Sequence, residues 1–170
     1  KIVYISSGGT IYGIPESVPV HEEAPTNPIC SYGIGKLTIE KYLELYRKLH
    51  GLNYVIIRPS NAYGSRQNPS GIQGAISVFL GKLKSDEPIQ IWGDGEAVRD
   101  FVYITDLVDA IYRTINFNHV SAIYNIGSGE GHSINQLLAV IQKVTGHKLR
   151  VTYSTSRPYD VPVIFLDISR

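Results

Sequence analysis

The chain has 170 residues, 43% hydrophobic and 18% charged, a composition that excludes a disordered segment and fits one compact domain with a sizeable core. Sixteen Lys plus Arg against fifteen Asp plus Glu leave a formal charge of +1, without the basic excess that binds polyanions, so neither nucleic acid nor an acidic membrane is expected as a partner. One cysteine, Cys30, excludes an internal disulfide, and no run approaches the roughly 20 apolar residues of a membrane span or the pattern of a secretion signal, so a cytoplasmic location is expected.

Methionine is absent, and Lys1 leads straight into a strand pattern, so the chain is expected to be an internal piece of a longer polypeptide. Residues Ile2 to Ile5 are β-branched or aromatic, as in a strand buried on both faces of a parallel sheet, and Ser6-Ser7-Gly8-Gly9 ends them. Between Ile14 and Pro28, four prolines and the acids Glu16, Glu22 and Glu23 block helix and ladder alike, predicting an irregular surface loop. Leu37, Tyr42, Leu45, Tyr46 and Leu49 recur near helical spacing from Ser31 to His50, and Gly51 stops the pattern. Tyr54 to Ile57 then reads as a second buried strand. Strand, helix and strand imply a parallel crossover in one α/β sheet.

After Pro59 a loop rich in Gly, Asn, Ser and Pro runs to Gly71, followed by a helix from Ala75 to Lys84, a strand from Ile89 to Trp92 and a glycine turn. Thr105 or Asp106 can cap a helix reaching about Phe117. A strand from Ile123 to Ile126 comes next, and Ser133-x-x-Gln136 is a capping box for a helix ending near Gly146. Short strands over Leu149 to Tyr153 and Val161 to Leu166 close the chain. The regular crossover thins out near residue 70, which predicts a sheet domain over 1–70 and a smaller mixed domain over 71–170.

Tyr32 and Lys36 are four apart at the head of the long helix, so they share a face. A lysine ammonium beside a phenol favours the phenolate, which would make Tyr32 usable as an acid/base; the alternative is an ordinary surface pair. Gly127-Ser128-Gly129-Glu130-Gly131-His132 imitates a dinucleotide loop, but His132 stands where the third glycine belongs, and a connecting turn is the expected reading. The histidines at 21, 50, 119, 132 and 147 have no metal-ligand spacing with Cys30 or one another, so no metal site is expected.

Six ordered blocks carry a family resemblance: Ser6-Ser7-Gly8-Gly9-Thr10-Ile11-Tyr12-Gly13, Tyr32-x-x-x-Lys36, Arg58-Pro59-Ser60-Asn61-Ala62-Tyr63-Gly64, Gly93-Asp94-Gly95 with Arg99-Asp100-Phe101-Val102-Tyr103, Tyr124-Asn125-Ile126-Gly127, and Arg157-Pro158-x-Asp160-Val161-Pro162. The chain is similar to extended short-chain dehydrogenases/reductases, and within them most resembles nucleotide-sugar epimerases of the UDP-glucose 4-epimerase type. The family's glycine-rich loop for the NAD pyrophosphate is not in this sequence, so the resemblance is to the second half of such an enzyme.

The resemblance implies the second half of a Rossmann-like parallel sheet domain plus a smaller mixed α/β substrate domain. It implies NAD as cofactor, a UDP-sugar as substrate, Tyr32 and Lys36 as catalytic and cofactor-contacting residues, and Ser60 as a further cofactor contact. The family's hydroxyl residue that helps hold the sugar O4 falls at Gly8, leaving Ser7 and Thr10 as candidates. Dehydration is disfavoured, because Gly9-Thr10 lacks the carboxylates that dehydratases place there. Asn61 and Gln73 are implied as substrate contacts, Arg99 and Arg157 as diphosphate ligands, and Asp160 as a ribose contact or a partner of Arg157. Ile164 is implied to line the pocket near the sugar C2 substituent. The breadth of apolar residues around the helix from 31 to 50, at which the family pairs, predicts a homodimer.

Overall fold

A computed structural model describes residues 1–71, 73–116 and 122–170. The first crossover forms as expected: β1 (Ile2–Ile5), α1 (Ser31–His50) and β2 (Tyr54–Pro59), with β1 and β2 parallel and Val3 opposite Val55. α1 stops where Gly51 takes the left-handed conformation, φ 66°, and its N–H reaches the Arg47 carbonyl. β2 is the centre of this sheet because its residues alternate between two apolar faces. Tyr54 and Ile56 pack with Leu43 of α1, whereas Val55 and Ile57 pack with Val102 and Leu107 on the other side.

The segment after β2 is less irregular than its composition suggests. β3 (Asn61–Tyr63) follows after one residue, and α2 (Ala75–Lys84) and β4 (Ile89–Trp92) have the expected bounds. β5 (Val98–Arg99) and β6 (Phe101–Tyr103) are too short to leave a periodic signal. α3 (Ile104–Asn116) begins directly after β6, so Thr105 and Asp106 lie inside its first turn rather than capping it; the expected end near Phe117 and the residue His119 lie outside the described residues.

β7 (Ala122–Ile126) then returns to the first sheet, parallel to β2, giving the order β1-β2-β7. Residues beyond 70 therefore help to build both the sheet and the core over one of its faces. β8 (His132–Ser133) leads into α4 (Ile134–Thr145), where Ser133 and Gln136 form the reciprocal capping box and Gly146 closes the helix. β9 (Val151–Ser154) pairs in parallel with β4, and β10 (Val163–Ile164) joins β5 and β8 in a small mixed sheet. A second core of Phe79, Ile89, Ile91, Leu137, Leu138, Ile141 and Leu149 joins α2 and α4 to the β4-β9 pair.

The proline-rich loop is a correction to its surface reading. Val20 and Glu22 are buried, Val20 bridges Leu166, and Val20 packs with Ile11, Tyr12, Val161, Ile164 and Leu166 in a third core. Its backbone finds partners in the C-terminal segment, Val20 N–H to Phe165 O at 2.9 Å and Asp167 N–H to Val20 O at 2.9 Å, so it is buried without unpaired peptide groups at that contact. None of the described helices is long and apolar enough to cross a membrane.

Candidate active site

Parallel strands deliver their next residues to one edge, and here the backbone stays paired beyond the strand ends. Ser6 N–H bonds Ile57 O at 2.7 Å, Gly8 N–H bonds Pro59 O at 2.8 Å, and Ser60 N–H bonds Ile126 O at 2.8 Å. This edge is where open α/β sheets bind ligands. Among the described residues, three hydroxyls at it are buried without a hydrogen-bond partner: Ser6 Oγ, Thr10 Oγ1 and Ser60 Oγ. A buried unpaired hydroxyl is costly, so such a cluster fits a bound polar group that supplies the missing partners. The residues present thus suit the polar end of a cofactor lying across the ends of β1 and β2.

The first turns of α1 overhang this edge. Lys36 Nζ donates to Ile5 O at 2.7 Å, at the end of β1, and stands 5.3 Å from the Tyr4 ring centre and 5.6 Å from that of Tyr32. Tyr32 is 52% exposed, and its hydroxyl is pushed above its ordinary value, first by burial and then by Cys30. The Lys36 ammonium is engaged here by a backbone carbonyl and by the faces of the Tyr4 and Tyr32 rings. Gly33 is needed for the close approach of the preceding loop: a Cβ there would lie 2.9 Å from Thr10 O and 2.9 Å from the Pro28 side chain. Thr10 is thereby held against the turn that carries Tyr32. Of the two candidate hydroxyls, that of Thr10 is buried and unpartnered, whereas Ser7 enters through its backbone, its carbonyl accepting from Ile11 N–H at 3.3 Å.

A cavity of about 300 Å³ gathers the second set of candidates: Asn61, Gln73, Arg99, Arg157 and Asp160, with Trp92. Arg157 makes a bidentate pair with Asp160, both bonds 2.9 Å, and its guanidinium lies 5.5 Å from the Trp92 ring centre and 5.3 Å from that of Tyr159. Burial pulls the Arg99 guanidinium below its ordinary value, Asp160 opposes this and Arg157 adds to it. Two guanidinium groups facing one carboxylate leave the cavity with an excess positive charge suited to an anion. Asn61 donates its amide to Asp100 O at 3.0 Å. Ser60 and Asn61 are consecutive, so one dipeptide serves both the hydroxyl edge and this cavity.

Ile164 requires a correction. It is 2% exposed and packed among Ile11, Tyr12, Val20, Val161 and Leu166, not in the cavity, because neighbouring residues in β10 face opposite sides. The loop from Gly127 to His132 is a connector. The buried Asp100 carboxylate accepts from Ser128 N–H and Ser128 Oγ, each at 2.8 Å, and a Cβ on Gly127 would collide with it. Among the described residues no three His, Cys, Asp or Glu side chains are grouped to hold a metal.

Sequence reasoning missed a buried polar network beneath the site. Arg58 pairs with Glu40 of α1, takes the Tyr12 hydroxyl and the Glu22 carbonyl as further acceptors, and Tyr12 in turn donates to Asn125 Oδ1 at 2.7 Å. Glu22 accepts the Asn125 N–H at 2.8 Å. The signal was an arginine continuing a strand of four apolar residues, since a charge on a buried strand needs a buried partner.

A model of the NAD dependent epimerase/dehydratase family matches residues 1–127. A putative UDP-glucose 4-epimerase of Methanocaldococcus jannaschii is 43% identical over 171 residues, covering 100% of this chain and 55% of that protein. A dTDP-4-dehydro-6-deoxyglucose reductase of Escherichia coli is 36% identical over 170 residues, 100% of this chain and 54% of that protein. The crystal structure of UDP-glucose 4-epimerase with UDP-glucose from Thermotoga maritima superposes with a TM-score of 0.93 at 37% identity, covering 98% of this chain and 54% of that one. The chain spans about half the length of these relatives.

Proposed function

Because the chain belongs to the NAD dependent epimerase/dehydratase family, we propose that the full-length protein is an NAD-dependent nucleotide-sugar 4-epimerase acting on a UDP-hexose of the UDP-glucose/UDP-galactose type. The observation that carries this reading is the Ser60-Asn61 dipeptide, which joins an edge of unpartnered hydroxyls beside Tyr32 and Lys36 to an arginine-lined cavity. Ser60 and Lys36 contact the cofactor from this edge. Arg99 and Arg157 bind the diphosphate, Asp160 the ribose, and Asn61 and Gln73 the sugar. Residues 1–70 supply mainly the cofactor side and 71–170 mainly the sugar-nucleotide side.

Tyr32 takes the proton from the sugar O4 and later returns it, while Thr10 or Ser7 donates a hydrogen bond to the same oxygen. NAD, held from the hydroxyl edge by Ser60 and Lys36, would supply the reversible hydride chemistry at the sugar C4 that inversion through a 4-keto sugar needs. The net reaction consumes no reductant. Lys36, already placed at the Tyr32 ring, stabilises the phenolate once the cofactor and substrate have closed the site. The lone thiol Cys30 suits a reducing compartment, and we assign the enzyme to the cytoplasm.

The test uses the full-length protein. It is expected to interconvert UDP-galactose and UDP-glucose without added NADH and to retain NAD through purification. Tyr32→Phe is expected to lower kcat by at least about 100-fold with UDP-sugar affinity nearly intact, in line with the loss of a general acid/base. Turnover that requires one NADH per product would instead favour a nucleotide-sugar reductase, a reading favoured by the 36% identity to the Escherichia coli reductase. Loss of carbon dioxide from a uronic acid sugar would favour a decarboxylase, and binding without turnover a non-catalytic module.

A further inference from the structure

α1 carries Tyr32 and Lys36, yet only Gly33, Glu40 and Leu43 of its 20 residues are buried. Such a helix gains little from apolar burial, and apolar contact is non-directional, so it does not fix rotation or sliding along the sheet. Glu40 supplies a directional contact. It lies four residues beyond Lys36 and eight beyond Tyr32, on the same side of the helix. It is 1% exposed, and Arg58 opposite is 3% exposed. Arg58 Nε donates to Glu40 Oε1 at 3.2 Å and Nη2 to Oε2 at 2.6 Å, a fork that fits only one relative placement of helix and strand.

Arg58 is itself locked. Its Nη1 donates to Tyr12 Oη at 3.0 Å and to Glu22 O at 2.8 Å, and its guanidinium lies 5.1 Å from the Tyr12 ring centre. These contacts join α1, β2, the segment bearing Thr10 and the proline-rich loop. Arg58 is the penultimate residue of β2 and Ser60 follows the strand directly, so whatever fixes Arg58 also fixes the start of the hydroxyl edge. A buried ion pair of this kind is a weak source of stability, since well-packed apolar residues often replace it without loss; its best-attested use is to set register. The geometry points to Glu40 and Arg58 as positioning residues for the proposed reaction: their pair holds α1 in the register that sets Tyr32 and Lys36 over the ends of β1 and β2. The kinetic part of this inference rests on the epimerase reading above.

The decisive variant is the paired replacement Glu40→Leu with Arg58→Met in the full-length protein, which removes both charges and leaves Tyr12 its bond to Asn125. Thermal unfolding should fall only by what the Glu22 carbonyl and Tyr12 hydroxyl lose with their donor, whereas kcat for UDP-glucose should fall about tenfold or more with KM within about threefold, the pattern of misplaced chemistry rather than lost binding. Amide exchange over residues 34–41 should quicken relative to α4. A folded paired variant with kcat within about threefold of wild type, or with unchanged exchange in α1, overturns the inference. Should the paired variant not fold, Glu40→Gln, which keeps the shape and removes one charge, is judged by the same two readouts. A wild-type protein without epimerase activity would refute the functional reading alone, and the exchange measurement would still decide the positioning role.

Discussion

Thr10 and Ser7 stand three positions apart and differ by one methyl group, yet they meet different environments in the fold. Thr10 Oγ1 is buried without a partner, so its removal should relieve the folded state of an unsatisfied hydroxyl even as it removes a donor from the proposed site. We expect Thr10→Val to hold or raise the unfolding temperature of the full-length protein while lowering kcat by roughly 10- to 1000-fold, the range for a lost transition-state donor. Ser7→Ala should leave kcat nearly unchanged, and the reverse ranking would move the role to Ser7. The motif order pointed to both residues but could not choose, because spacing along a turn does not say which hydroxyl the neighbouring helix covers. Gly33, by admitting the Thr10 carbonyl against α1, sets Thr10 beside the turn that bears Tyr32.

Elements in this chain are held by local devices that are legible in sequence and by close approaches that are not. The capping box at α4 is of the first kind: Ser133 Oγ accepts Gln136 N–H at 3.1 Å and Gln136 Oε1 accepts Ser133 N–H at 2.8 Å. Ser133→Ala should cost about 1 kcal/mol, the usual worth of an N-cap. Gly13 is of the second kind. It has φ +67°, and a Cβ there would run into the Asn27 carbonyl across the proline-rich loop. Gly13→Ala should therefore destabilise more than Ser133→Ala, since it adds backbone strain to a clash between segments. Thermal unfolding of the two variants checks the order. α1 and α4 were readable because each closes on its own hydrogen bonds and carries an end signal, Gly51 for the first and the Ser133–Gln136 box with Gly146 for the second. β5, β6 and β8 were not, because strands of two or three residues exist only through partners distant in the sequence.

At the scale of the molecule, α1 turns Ile34, Tyr42, Leu45, Tyr46 and Leu49 to solvent, and a hollow of about 660 Å³ runs along it past Leu37 and Pro28. An apolar face of this breadth fits an isologous contact, and we propose a homodimer through α1. Light scattering of the full-length protein should give twice the monomer mass, and a monomer mass throughout the micromolar range would refute the pairing. Among the described residues β1 pairs with β2 alone, at one side of a sheet ordered β1-β2-β7. The parallel crossover, the helices, the α/β class and the blocks that carry the candidate site residues were legible without the fold, because periodicity, caps and motif order are local properties. That Ile164 packs in a core and not in the cavity, that the proline-rich loop is partly buried, and that Arg58 meets Glu40 emerge only in the folded chain. Those outcomes depend on which distant segments occupy each face of a strand, and a residue's burial is set by that company rather than by its own chemistry.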